Sequence, residues 1–241
     1  MLKKSEILHQ KQVDHVYSEY KILSVLNHPF IVELKGVNVN DPVYLYFILQ
    51  YVPGGELFSL LRSKVSFPLL QAKFYIAHIV TIFEYLHSKN IIYRDLKPEI
   101  IMNKGHGKPV DWWTMGVLLY EMLVGIDPFN DEDPMMIYQK IIKGKIYYPN
   151  SMDRDAKSLI KHLLTEDMTK RFGCLRNGVK DIVNHRFFND FDWKEFVFMK
   201  MTPPYVPEVK SASDTSCFNS YPDSENEPVS LTEKEDPFLD W

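Results

Sequence analysis

Only two cysteines, Cys174 and Cys217, occur in 241 residues, and they stand 43 positions apart. That is neither a disulfide framework nor the close spacing of zinc ligands, so two reduced thiols are expected. No apolar run approaches the roughly 18 residues of a membrane span, and the opening MLKKSEILHQKQVDH has no signal-peptide core. These gaps point to a soluble intracellular chain, cytoplasmic and also nuclear, with no membrane partner. Excess positive charge is missing too: with 28 Lys+Arg against 32 Asp+Glu the formal net charge is −4, which argues against nucleic acid as the main partner, and any basic patch must be local. Glycine is sparse, at 10 residues, and GHGK at 105–108 lacks the further glycines and the Ser/Thr of a phosphate-binding loop, so it reads as a plain turn.

What is present is enough apolar sequence for one or two cores: 45% of residues are hydrophobic and 14% aromatic. Val13, Val16, Tyr20, Leu23 and Leu26 fall at three- and four-residue steps and predict an amphipathic helix over 11–26 that ends near His28-Pro29. IVEL (31–34) and VYLYFILQYV (43–52), separated by Asn38, Asn40, Asp41 and Pro42, predict a hairpin of strands. Pro53-Gly54-Gly55 breaks the second strand. Helical periodicity follows to about Arg62, over Leu70–Ser88, and at 110–125, 133–143, 153–165 and 178–186. Residues 210–237 are rich in Ser, Asp, Glu and Pro and read as a tail, with aromatic outposts at Phe218, Tyr221, Phe238 and Trp241.

The chemistry begins at YRDLKPE, residues 93–99. Phosphoryl transfer needs a carboxylate to accept the hydroxyl proton and an ammonium to neutralise the phosphoryl oxygens, and Asp95 and Lys97 supply both two positions apart. A lone D-x-K is usually a loop salt bridge. The full run, however, resembles the H-R-D-L-K motif of protein kinases with tyrosine in first position. QYVPGGELFSLLR (50–62), FEYLHS (83–88), VDWWTMGVLLYEML (110–123), TKRFG (169–173), NGVKDIVNHRFF (177–188), SDTSCFNSYPD and FLDW extend the likeness along essentially the whole chain. It is similar to the catalytic subunit of cyclic-AMP-dependent protein kinase and to the related basophilic Ser/Thr kinases.

The resemblance implies an α+β, two-lobed kinase fold: a partial small lobe at 1–52, a helical large lobe at 53–186 and a C-terminal tail at 187–241. It implies ATP and magnesium as family cofactors, and basic Ser/Thr proteins and a cAMP-binding regulatory subunit as partners, the latter facing Tyr138. It assigns Asp95 and Lys97 to catalysis. Glu56, Glu99 and Glu121 fall to substrate arginines, Gln50, Val52, Phe218 and Tyr221 to the nucleotide, and Ser230 to a tail phosphorylation site. Several family parts have no counterpart. There is no G-x-G-x-x-G loop, and aligning Glu19 with the helix glutamate puts its lysine partner just before Met1, out of reach of Lys3 and Lys4. The magnesium asparagine, D-F-G and the activation loop are missing because Glu99 runs from K-P-E straight into a stretch that in the family follows A-P-E. Only 15 residues separate Asp95 from Asp111. The single Phe-Gly, Phe172-Gly173, follows Arg171. Glu99 reads equally as the arginine-binding glutamate and as a partner of Arg171. The expectation is therefore a kinase-family chain impaired in catalysis, with metal ligands absent. A non-catalytic binding module or decoy, and an incomplete gene product, are the alternatives.

Overall fold

The computed structural model describes residues 1–93, 107–218, 229–232, 234–239 and 241. They form two compact units, one of residues 1–55 with 208–241 and one of residues 56–207. Strands are confined to the first unit and helices dominate the second, the α+β composition expected. Among the described residues no helix is long and apolar enough to cross a membrane.

In the first unit β1 (Leu2–Lys3) leads directly into α1 (Lys4–His9), followed by α2 (Val13–Val25), β2 (Leu34–Asn38) and β3 (Tyr44–Leu49). The sheet order is β1-β3-β2 and both pairings are antiparallel, with Leu2 opposite Leu45 and Val37 opposite Phe47. Helix α2 matches its apolar stripe. Strand β2 begins three residues later than IVEL predicts. A turn at His28 takes the preceding residues, the Ile31 N–H donating to the His28 carbonyl at 3.1 Å and the Phe30 N–H to His28 Nδ1 at 3.2 Å. A register shift between Leu34 and Gly36 breaks the pairing again. The core joins Ile7, Val16, Val39 and Leu45 to Phe238, flanked by Trp241. The chain's last residues therefore fill the core begun by its first. Trp241 lies 4.9 Å from Tyr17 and 5.7 Å from Tyr20, centroid to centroid, and Leu231 N–H donates to the Pro42 carbonyl at 2.9 Å.

At the edge of this core Lys4 is fully buried. Its ammonium donates to the Val39 carbonyl at 2.6 Å and pairs with Asp236, and it sits 5.7 Å from the Phe238 ring centroid. A buried ammonium needs such partners to offset its lost hydration.

The second unit contains α3 (Leu57–Lys64), α4 (Leu69–Ser88), α5 (Lys108–Val124), α6 (Pro134–Lys143), α7 (Arg154–Leu163), α8 (Lys180–Val183), a 3₁₀ turn at Arg186–Phe188 and α9 (Trp193–Val197). Helix α5 is the axis. Trp112, Trp113, Met115, Leu119, Tyr120 and Met122 are all buried, against Ile76, Val80 and Phe83 of α4 and Leu159, Ile160 and Leu163 of α7. Close approach of α5 to α7 depends on Gly116, where a Cβ would lie 2.8 Å from that of Leu163. The caps follow local chemistry: Asp133 accepts from Met135 N–H and Asp153 from the N–H groups of Asp155 and Ala156, while Gly125 closes α5 at φ 89°. The predicted 178–186 helix is in fact α8 plus the 3₁₀ turn.

Among the described residues four non-glycines, Lys11, Val65, Asn90 and Met199, have positive φ, and of these only Val65 is β-branched. Val65, after α3, has φ 66° and ψ −50°, a region hostile to a β-branched side chain, although it is 69% exposed and packs little. Val65→Gly is expected to stabilise the protein by about 1 kcal/mol, because relief of the left-handed strain exceeds the entropy glycine adds to the unfolded chain. A calorimetric Tm higher by roughly 2–4 °C is the expected reading, and a lower Tm would show that the turn carries no strain.

Candidate active-site scaffold

The segment ahead of YRDLKPE is held by a buried carboxylate. Asp111, in the first turn of α5, is 1% exposed and accepts a hydrogen bond at 2.7 Å from His87 Nε2 near the end of α4. The same oxygen accepts the backbone N–H of Tyr93 at 3.1 Å. Around this junction Phe83 packs edge-on to Trp112 at 5.6 Å and lies 6.2 Å from Tyr93, and His87 is edge-on to Trp112 at 5.2 Å. The sequence shows no sign of this task for Asp111. Asp111 fixes the direction in which the chain leaves α4, two residues before Asp95. Asp95, Lys97 and Glu99 themselves lie outside the described residues.

Arg171, the partner that one of the two readings gives Glu99, is 4% exposed. Its Nε and Nη2 donate to the Thr165 carbonyl at 3.0 and 2.8 Å and Nη1 donates to that of Pro109 at 2.8 Å, with the guanidinium 4.8 Å over the Trp113 ring. The arginine therefore ties the start of α5 to the loop after α7.

Of the acids assigned to substrate arginines, Glu56 is exposed at the N-cap position of α3, where its side chain makes no capping hydrogen bond. Glu121 is half-buried on α5. Burial pushes its carboxyl pKa up, Asp127 adds to the rise, and Arg62 of α3 opposes it. Asp127 is a carboxylate that sequence reasoning missed. Burial raises its pKa as well, partly offset by the hydrogen bond it accepts from Phe129 N–H at 2.6 Å. The Gly125 turn brings it back toward Glu121, a signal present in the sequence as Y-E-M-L-V-G-I-D.

In the first unit Gln50 and Val52 are both exposed, in the segment that follows β3. Between them Tyr51 donates its hydroxyl to the Asp214 carbonyl at 2.5 Å and lies 6.0 Å from the Phe218 ring. Gly55, at φ 81°, lets the tail approach: a Cβ there would be 2.6 Å from the Cys217 carbonyl oxygen. The fold thus brings Phe218 beside Gln50–Val52, while Tyr221 lies outside the described residues. Glu19 is exposed and bonds to neither lysine considered for it; Lys3 pairs with Glu6 at 3.2 Å and Lys4 with Asp236.

Among the described residues, no three His, Cys, Asp or Glu side chains converge to hold a metal ion. Phe172-Gly173 is committed to packing: Phe172 stacks on His162 at 4.2 Å, and a Cβ on Gly173 would meet Trp112 Nε1 at 2.4 Å.

Comparison with known proteins matches the protein kinase domain family to residues 1–104 and again to 98–188, so residues 98–104 fall in both matches. The chain is 40% identical to cAMP-dependent protein kinase catalytic subunit 3 of Drosophila melanogaster over 98% of its length, and 40% identical to the cAMP-dependent protein kinase catalytic subunit of Dictyostelium discoideum over 93%. It is 39% identical to the human cAMP-dependent protein kinase catalytic subunit PRKX over 91%. It spans 47%, 40% and 72% of these relatives respectively. The aligned stretch with the fly protein is 274 residues, longer than the 241 of this chain, so part of the relative faces a gap here. Together these likenesses place the chain in the protein kinase family, among the cAMP-dependent Ser/Thr kinase catalytic subunits and their relatives.

Proposed function

We propose that this chain is a cAMP-dependent-type Ser/Thr kinase relative impaired in phosphoryl transfer, which keeps a scaffold for recognising basic Ser/Thr segments. The observation that carries the reading is the double match of residues 98–104. PEIIMNK serves both as the end of the catalytic-loop half and as the start of the α5 half, and the block in which the family holds magnesium is absent between them. Loss of one electrostatic element of this kind commonly lowers a rate by a factor on the order of 10²–10³, and the asparagine and D-F-G are both missing. Asp95 and Lys97 remain in the motif as base and phosphate partner. Glu56, Glu99 and Glu121 are the acids offered to substrate arginines, whose guanidinium fork suits carboxylate oxygens. The exposed Gln50–Val52 segment, with Phe218 beside it and Tyr221 following in the tail, is the surface offered to ATP adenine, without a family-type metal to hold the phosphates.

A specific surface favours the binding-module form of this reading. On α6, Met135, Tyr138 and Ile142 are 63%, 42% and 60% exposed along one side, a stripe fit for a protein partner. A regulatory subunit is the partner this proposal names, with the cytoplasm and nucleus as compartments. The test is magnesium-ATP with an arginine-rich serine peptide. No transfer above the Asp95→Asn background is expected, whereas the peptide still binds and does so more weakly to Glu121→Gln. Robust transfer that Asp95→Asn abolishes would overturn the proposal.

A further inference from the structure

Although the chain is acidic overall, one concave surface of the second unit is basic. An open groove of about 540 Å³ runs between α7 and the loop that follows α6, with Gly144, Lys145, Tyr148, Lys157 and Lys161 among its walls. Lys157 and Lys161 are one turn apart on α7. Their ammonium groups lie 5.1 and 5.5 Å from the centroid of the same Tyr148 ring. The opposite wall is anchored, because Tyr120 donates its hydroxyl to the Tyr147 carbonyl at 2.7 Å.

The neighbouring cations have partners. Lys140 pairs with Asp131 at 2.9 Å and Arg186 with Asp155 at 3.2 Å, while Lys143 donates to Gln139 Oε1 at 3.3 Å. Lys145, Lys157 and Lys161 form no ion pair with any described residue. The Glu166 carboxylate lies against Gly144, one of the groove's lining residues. Like charges four residues apart on a helix repel, and attraction to the Tyr148 ring face keeps both heads on one side instead of letting them separate. The result is a preset pair of ammonium donors, with Lys145 lining the same groove, whose mutual repulsion a multivalent anion would relieve. A phosphate monoester, with a charge of about −1.5 to −2 and three acceptor oxygens, matches three donors. The groove is open along its length, so it cannot enclose a small metabolite, but an extended chain can lie in it.

We propose that this groove binds a phosphoserine or phosphothreonine carried by an extended polypeptide segment, with Lys145, Lys157 and Lys161 as the phosphate ligands. None of the three belongs to the transfer or arginine-recognition machinery, so the inference stands independently of the function proposed above. The test is fluorescence anisotropy with the full chain and a labelled Gly/Ser nonapeptide bearing one phosphoserine. Its unphosphorylated twin, inorganic phosphate and a single-stranded RNA of similar length serve as comparison ligands. The phosphopeptide is expected to bind, the twin not to, and binding to weaken as salt rises. Lys157→Gln/Lys161→Gln should lower affinity about tenfold through loss of two charge-assisted contacts, while Lys157→Arg/Lys161→Arg retains it. Absence of binding, equal affinity of twin or Gln variant, inorganic phosphate binding as tightly as the phosphopeptide, or RNA binding more tightly would each overturn the assignment.

Discussion

Lys4→Met should destabilise the unit of residues 1–55 and 208–241 by about 3–5 kcal/mol, the usual result of removing one partner of a buried ion pair. The size follows from what stays behind. The Asp236 side chain is 4% exposed, and without the ammonium its charge loses the cation beside it. The Val39 carbonyl loses a 2.6 Å hydrogen bond in the same step. Methionine fills the space but answers neither acceptor. Hydrogen exchange of β3 and α2, with limited proteolysis of the last thirteen residues, reads the effect, since Phe238 and Trp241 are held by the same core. Lys4→Met/Asp236→Leu should recover most of the loss, because two apolar groups leave no charge stranded. If Lys4→Met left exchange and proteolysis unchanged, the pair would have no stabilising role.

Asp111→Ala should lower the stability of the unit of residues 56–207 by about 3 kcal/mol, since two donors lose their acceptor and each unsatisfied buried group costs about 1–3 kcal/mol. One is His87 Nε2–H, the other Tyr93 N–H. The alanine also leaves space among Phe83, Trp112 and Tyr93, the aromatic rings that close over the junction. Asp111→Asn keeps one acceptor oxygen and should cost less. Urea denaturation of the two variants checks the order, and a loss below about 1 kcal/mol for alanine would mean that water replaces the carboxylate. Because Asp111 holds the backbone N–H of Tyr93, two positions before Asp95 in the sequence, arginine-peptide binding should also weaken in the alanine variant.

Much of the second unit was legible because its helices are long and their apolar positions repeat. Helices α4, α5, α6 and α7 fall where the periodicity puts them, and Pro53-Gly54-Gly55 does stand at the change from strand to helix. Elements too short to show a period escaped: β1 has two residues and α1 six, and neither yields a stripe. Lys4 escaped for a different reason. A lysine at the start of a polar helix reads as solvated, and its partner is 232 positions away. The site divides the same way. Asp95 and Lys97 are visible as a motif, since the chemistry needs them adjacent. Asp111's bonds to His87 and Tyr93, and the effect of Asp127 on Glu121, depend on a helix end and a glycine turn that pattern alone does not orient.

The first unit is built from both termini, and this dictates an order of events during synthesis. Val16 and Leu45 emerge from the ribosome long before Asp236 and Phe238 exist to cover them, an interval on the order of 10–40 s at typical elongation rates. Residues 56–207 are continuous in the chain and have all been synthesised before Asp236. The N-terminal segment must wait with apolar residues open to solvent, and that interval is the window in which a shielding chaperone can act.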